Sequence, residues 1–170
     1  HQLPASVQVM RMKLLVLYDS RTGNTEKMAQ AVAEGAKRVK GAKVDIRKVY
    51  RFDAKRLKGY DAIVVGSPTY YGEMSGKLKA LFDESVEIHG QLEGKVGAAF
   101  TSAGGTATGA ETTIISILQA MLVHGMVVQG NSSDKHYGVA SVGKPDAGTR
   151  RLCELLGERT AELACRLCQT

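Results

Sequence analysis

Short apolar runs alternate with segments of helical period along almost the whole chain, and this alternation limits the fold more than any other feature. Residues 13–18, 61–65 and 96–100 read as buried strands, residues 43–49 alternate around Val44 and Ile46 as an edge strand does, and residues 126–129 give a last short strand. Between them, residues 24–40 carry Met28, Ala31, Val32, Gly35, Ala36 and Val39 at helical spacing. A second helix begins near Ser75 with Leu78, Leu81 and Phe82, and residues 110–124 carry Ile114, Ile117, Leu118 and Met121. Polar residues 130–148 read as a long loop before a closing amphipathic helix at 149–167. Parallel neighbours need a crossover of about a dozen residues, so this order predicts an α/β fold with a parallel sheet covered on both faces. Five strands in one small domain predict the order 2-1-3-4-5.

The chain has 170 residues, 44% of them hydrophobic and 24% charged, which suits one domain with a full core over residues 12–170. Residues 1–11 are expected to be a disordered or added start, and they lack the pattern of a signal peptide. Apolar runs such as 62–65 and 114–118 fall far short of the roughly 20 residues of a membrane span, so no membrane role is expected. The three cysteines, Cys153, Cys165 and Cys168, are an odd number near the end of the chain, which argues against a disulfide framework and for a reducing cytoplasm. Cys165 and Cys168 have C-x-x-C spacing but no second Cys or His pair nearby, and read as two reduced thiols on a helix. No metal site is expected.

Net charge is +6, and 10 of the 23 cationic residues lie between Lys37 and Lys58, opposed there only by Asp45 and Asp53. Such a segment can attract phosphates, nucleic acid or an acidic protein, or can be a solvated face, which is the preferred reading. With only Tyr50 and Phe52 interleaved, it gives no aromatic platform for nucleic acid, and nucleic-acid binding is not expected.

In an open sheet of this order, ligands sit beyond the carboxyl ends of the strands where the order reverses. The loops that meet there are residues 20–25, 67–72 and 101–109, all rich in Gly, Ser and Thr. The first follows a strand and opens a helix. Its Ser20, Thr22, Asn24 and Thr25 add short donors to the helix N-terminus, and Gly23 lets the backbone come close, which makes a phosphate cradle. Arg21 adds charge or projects into solvent. Asn24 or Thr25 could be ordinary helix caps, but that accounts for one or two of these residues rather than all. The segment lacks both the Gly-Lys-Ser/Thr of a nucleoside-triphosphate loop and G-x-G-x-x-G.

The run Ser20-Arg21-Thr22-Gly23-Asn24-Thr25 resembles the FMN-phosphate loop of flavodoxins. "GSPTYYGEMSGKLKALFDE", "GKVGAAFTSAGGTATGAETT" and "HGMVVQG" together resemble the tryptophan-repressor-binding-protein family of NAD(P)H:quinone oxidoreductases, over most of the chain from Met12 onward. The resemblance implies a flavodoxin-like three-layer sandwich with FMN held by the three loops. By similarity, Ser20, Arg21, Thr22, Gly23, Asn24 and Thr25 bind the phosphate. Pro68, Thr69, Tyr70, Tyr71 and Gly72 border the isoalloxazine ring. Thr101, Ser102, Ala103, Gly104, Gly105 and Thr106 contact its other edge. His124 matches a histidine near the flavin in that family, where it would hydrogen-bond reduced flavin as a catalytic residue; it also fits a plain helix C-terminal histidine. Tyr70 and Tyr71 would stack on flavin or substrate, or one of them would be a surface residue.

Two features depart from the family pattern. The connection at residues 49–60 lacks an inserted segment, and no tryptophan precedes the fourth strand, where His89 stands at about that place. In the family that tryptophan helps a neighbouring subunit cover the flavin, so its absence bears on the quinone pocket and on assembly as a dimer or tetramer. The resemblance implies an FMN enzyme that takes hydride from NAD(P)H and passes two electrons to a quinone or a redox protein. The alternative is a flavodoxin-type electron carrier. Such carriers are typically acidic, and the charge of +6 favours the enzyme.

Overall fold

β1, Met12–Tyr18, is an interior strand of the sheet, and its neighbours on both sides explain why the run is apolar on both faces: all but Lys13 are buried. In the computed structural model, which describes residues 11–168, β1 pairs in parallel with β2, Ala42–Lys48, on one side and with β3, Ala62–Pro68, on the other. β3 pairs with β4, Val96–Ala103, and the order is 2-1-3-4-5. The expected start at residues 1–11 lies, apart from Arg11, outside the described residues.

The fifth position is split. β5, Val127–Val128, pairs with Val96 and Gly97 at the beginning of β4, and β6, Val139–Val142, pairs with residues 100–103 at its end. The polar composition of residues 130–148 predicts a long loop for the segment between them. It instead returns to the sheet at Gly138, where a Cβ would overlap the Ala99 carbonyl oxygen and where φ is 151°.

Strand alternation sorts the core into two layers. Leu14, Val16, Ala62, Val64, Ala98 and Phe100 face α1, Asn24–Lys37, and α4, Ala147–Leu167. Leu15, Leu17, Ile63, Val65 and Ala99 face the layer of α2, Gly76–Glu84, and α3, Ala110–Val123. α1 and α4 cross at two glycines: a Cβ on Gly35 would overlap the Glu154 backbone, and one on Gly157 the Val32 carbonyl. Gly66 makes room in the same way for the fully buried Phe100 ring beside it in the sheet. No helix among the described residues is long and apolar enough to cross a membrane.

Two strands run further than their apolar cores. β3 continues through Gly66, Ser67 and Pro68, and β4 through Thr101, Ser102 and Ala103, residues whose composition reads as loop. Their backbone remains in the ladder because small and hydroxyl side chains pack there without competing for the strand bonds.

Candidate functional site

Each helix that leaves the carboxyl end of the sheet must deal with its first unpaired N–H groups, and the chain does so in two ways. α2 and α4 are capped by side chains: Ser75 accepts from the Leu78 N–H and Asp146 from the Thr149 N–H. α1 and α3 instead begin at left-handed glycines, Gly23 with φ 98° and Gly109 with φ 101°, and neither has a side-chain cap. Gly109 is spoken for, because a Cβ there would lie 2.6 Å from the Gly72 Cα. Around Gly23 a Cβ would meet nothing within 4 Å.

The start of α1 is therefore open and rich in donors. The first helical bond runs from the Lys27 N–H to the Gly23 carbonyl, 3.1 Å, so the N–H groups of Asn24, Thr25 and Glu26 precede it. Ser20 Oγ accepts the Gly23 N–H at 3.1 Å, which shapes the turn and leaves the hydroxyl proton free to donate. Arg21 and Thr22 are exposed. Three backbone donors, the Ser20, Thr22 and Asn24 side chains and the positive end of the helix dipole are the donor set a phosphate monoester needs. FMN fits this cradle.

Not every predicted site side chain faces outward. Thr25 is 1% exposed and shares a hydrogen bond with Ser102, Oγ1 to Oγ at 2.8 Å, tying the first loop to the third. Thr101 is fully buried; its hydroxyl donates to the Ser67 carbonyl at 2.7 Å, so Thr69 Oγ1 is the donor in the 2.8 Å contact between them. The Thr69 N–H also donates to the Ser102 carbonyl, 2.8 Å. These hydroxyls, that of Thr25 expected at the phosphate and those of Thr69, Thr101 and Ser102 at the flavin ring, lock the three strand ends together. Ser67, which lies in the second loop but had no role of its own in the sequence reading, is part of the same frame: it accepts the Ser75 N–H at 2.9 Å and donates to the Pro68 carbonyl at 2.7 Å. The run Gly66-Ser67-Pro68 directly after an apolar strand was the available signal.

The second loop is a tightly hydrogen-bonded tip. The Tyr70 N–H donates to the Glu73 carbonyl at 3.1 Å and the Glu73 N–H returns the bond at 3.0 Å. Tyr71 and Gly72 form the two corners with φ of 51° and 77°, as in a type I′ turn. The Met74 N–H is anchored on Ser116 Oγ, 3.0 Å. Tyr71 is wholly exposed and Tyr70 partly so. A tyrosine held left-handed costs about 1 kcal/mol against glycine, and such strain collects at functional sites. Opposite this tip, the third loop retains Gly104, Gly105 and Thr106, partly or fully exposed, followed by Ala107 at φ 56°. Between them a flat ring would meet backbone and an aromatic edge.

The structure does not bring His124 to the loops of its own chain. It caps the far end of α3, 14 residues and about 20 Å of helix away. There it is buried, with Nε2 2.7 Å from Ser85 Oγ. Ser85 spends its proton on the Phe82 carbonyl, 2.6 Å, so His124 Nε2 carries the hydrogen and Nδ1 is left buried without a partner. Burial, and next the neighbouring His89 charge, lower its pKa, which keeps the ring neutral. His89, exposed, lies at the same end, with ring centroids 5.8 Å apart, and is equally remote from the loops.

The thiols are free: Cys153 is pushed up to about 12 by burial and then by Glu154, and burial also raises Cys165 and Cys168. None of them is a ready nucleophile. Among the described residues no group of three or more His, Cys, Asp or Glu is placed to hold a metal ion.

Residues 16–124 match the family model for flavodoxin. A flavodoxin of Aquifex aeolicus is 38% identical over 158 residues, 88% of this chain and 85% of its own. An Archaeoglobus fulgidus protein named NAD(P)H dehydrogenase (quinone) is 36% identical over an alignment of 190 positions, gaps included, that covers 92% of this chain and 99% of its own. Among solved structures, a flavodoxin from the domain Archaea superposes with a TM-score of 0.75 at 32% identity, over 90% of this chain and 99% of that one.

Proposed function

The chain belongs to the flavodoxin family, and from that premise we propose that it is an FMN-dependent oxidoreductase, passing hydride from NAD(P)H to the flavin and then two electrons to a quinone-type acceptor. The two-electron chemistry belongs to the flavin ring when it is bound. The chain's own part is to hold, orient and shield. Ser20, Thr22 and the N–H groups of Asn24, Thr25 and Glu26 fix the phosphate, and the hydroxyls of Thr25, Thr69, Thr101 and Ser102 keep the loops in register. The tip at residues 70–73 borders the ring on one side and residues 104–106 on the other. Tyr71, free of protein contacts that would shield it, offers a face on which donor and acceptor can stack in turn. Hydride transfer requires no acid or base from the protein, so the absence of His124 from the loops does not weaken this reading.

The observation that supports it most is the end-to-end similarity to the Archaeoglobus protein named for the activity. The Aquifex flavodoxin supports the second reading, an electron carrier without nicotinamide turnover. The net charge of +6 leans toward a phosphate-bearing donor. Three free thiols suit a reducing cytoplasm. Anaerobic titration of the FMN-loaded protein with NADH and NADPH separates the readings: rapid bleaching straight to the two-electron reduced flavin is expected, and reduction by dithionite alone would make the protein a carrier.

A further inference from the structure

The cationic stretch between Lys37 and Lys58 takes no part in the site described above, yet part of it stands beside that site. Several of its charges are already engaged. Arg38 pairs with Glu154 and Glu158 at 3.2 and 3.5 Å, Lys55 with Glu87 at 3.2 Å, and Arg56 lies over the Phe52 ring at 4.9 Å. What remains at the carboxyl end of β2 is a turn at residues 49–52, closed by the Phe52 N–H on the Val49 carbonyl, 3.0 Å, with Tyr50 and Arg51 at its corners.

Three observations set this turn apart. Tyr50 is 64% exposed, and the Arg51 guanidinium stands 5.0 Å from its ring centre, so one face of the ring is stacked and the other is available. Arg51 pairs with no carboxylate among the described residues. Its φ of 57° is left-handed, a conformation that costs stability and that glycine would adopt freely. Of the four non-glycine residues with positive φ among the described residues, Arg51, Tyr71 and Ala107 follow β2, β3 and β4 at the same end of the sheet, and the last two already belong to the flavin loops.

The turn also has the right position. The Val49 N–H donates to the Tyr18 carbonyl at 2.8 Å, and Lys48 lies opposite Tyr18, so the turn flanks the phosphate cradle one strand further out. From β2 to the gap between β3 and β4 is two and a half strand spacings, about 12 Å. A dinucleotide with its nicotinamide over the flavin spans that range.

We propose that Tyr50 and Arg51 clamp the adenosine end of the electron donor: adenine stacks on the open face of Tyr50, and Arg51, with Lys48 nearby, receives the 2′-phosphate, so that the chain selects NADPH over NADH. The planar fork of arginine suits a phosphate bidentately and tolerates stacking on an aromatic ring. This inference rests on the oxidoreductase reading, and its test keeps the two apart. Binding of adenosine 2′,5′-bisphosphate and of adenosine 5′-monophosphate to the FMN-loaded protein is measured by calorimetry, with the flavin filling the phosphate cradle. Arg51→Gly removes the guanidinium while matching the left-handed backbone, so the variant keeps its fold. The bisphosphate should bind more tightly than the monophosphate, and Arg51→Gly should weaken it about ten- to a hundredfold, the loss of one solvent-screened arginine–phosphate pair. Tyr50→Ala should weaken both nucleotides. With the donors themselves, Arg51→Gly should raise KM for NADPH much more than KM for NADH. Equal binding of the two nucleotides, or an Arg51→Gly protein that binds the bisphosphate as the unaltered chain does, overturns the clamp even where both donors still bleach the flavin. Failure of both donors to bleach the flavin overturns the oxidoreductase reading.

Discussion

Replacing Thr22 and Asn24 together by leucine is expected to reduce FMN affinity by at least about a hundredfold, since each charge-assisted hydrogen bond lost is worth roughly 1.5–3 kcal/mol. The backbone N–H groups of the α1 N-terminus survive the change, but two side-chain donors go and two bulky apolar groups enter the space around Gly23, where a Cβ meets nothing within 4 Å. The fold should tolerate it. Thr22 is exposed, Asn24 is only partly buried and neither caps the helix, so the stability cost should stay near the roughly 0.5 kcal/mol typical of surface changes. Quenching of FMN fluorescence during titration reports the affinity, and far-UV circular dichroism reports the fold. An unchanged affinity would place the phosphate elsewhere.

Gly157→Val should be strongly destabilising. In a helix interior, helix propensity alone would favour a residue larger than glycine by a few tenths to about 1 kcal/mol. Packing points the other way: the added Cβ would overlap the Val32 carbonyl oxygen and lie 2.9 Å from the Ala36 nitrogen, both backbone atoms of α1 that cannot swing aside. Overpacking of about 3 kcal/mol or more wins, and the melting temperature should fall by about 10 °C for a domain of this size. Gly76→Ala, at a helix start where a Cβ meets nothing within 4 Å, is the matched control and should stabilise slightly. A thermal melt of both variants checks the pair; equal melting temperatures would mean that α1 and α4 are not in backbone contact at the crossing.

The order of strands and helices was legible because the buried strands carry unbroken apolar runs and the helices carry a clear period, as at Met28, Val32 and Ala36. What escaped was set by partners far along the chain. The sequence Val139-Ala140-Ser141-Val142 is too short to stand out from the polar loop around it, and becomes a strand only because the end of β4 is there to pair with. Thr101 and Ser102 read as ligand-facing loop residues, whereas their hydroxyls face Ser67, Thr69 and Thr25 across the strand ends. The phosphate cradle was legible in the composition of its loop, but its openness, a glycine start without a side-chain cap, is a matter of backbone angle. His124 was assigned by likeness of motif, and only the length of α3 shows how far from the loops of its own chain it lies. Tyr50 and Arg51 showed in the sequence only as an aromatic and a charge within a cationic segment; their stacking and the left-handed turn depend on backbone angles.

The most direct test of the account compares FMN with riboflavin, which differs only in lacking the phosphate, in calorimetric titrations of the flavin-free protein. If the uncapped start of α1 anchors the cofactor, FMN should bind at least about a hundredfold more tightly, the worth of two or more charge-assisted hydrogen bonds at a helix N-terminus. Equal affinities for the two flavins would contradict the claim that this loop is a phosphate site.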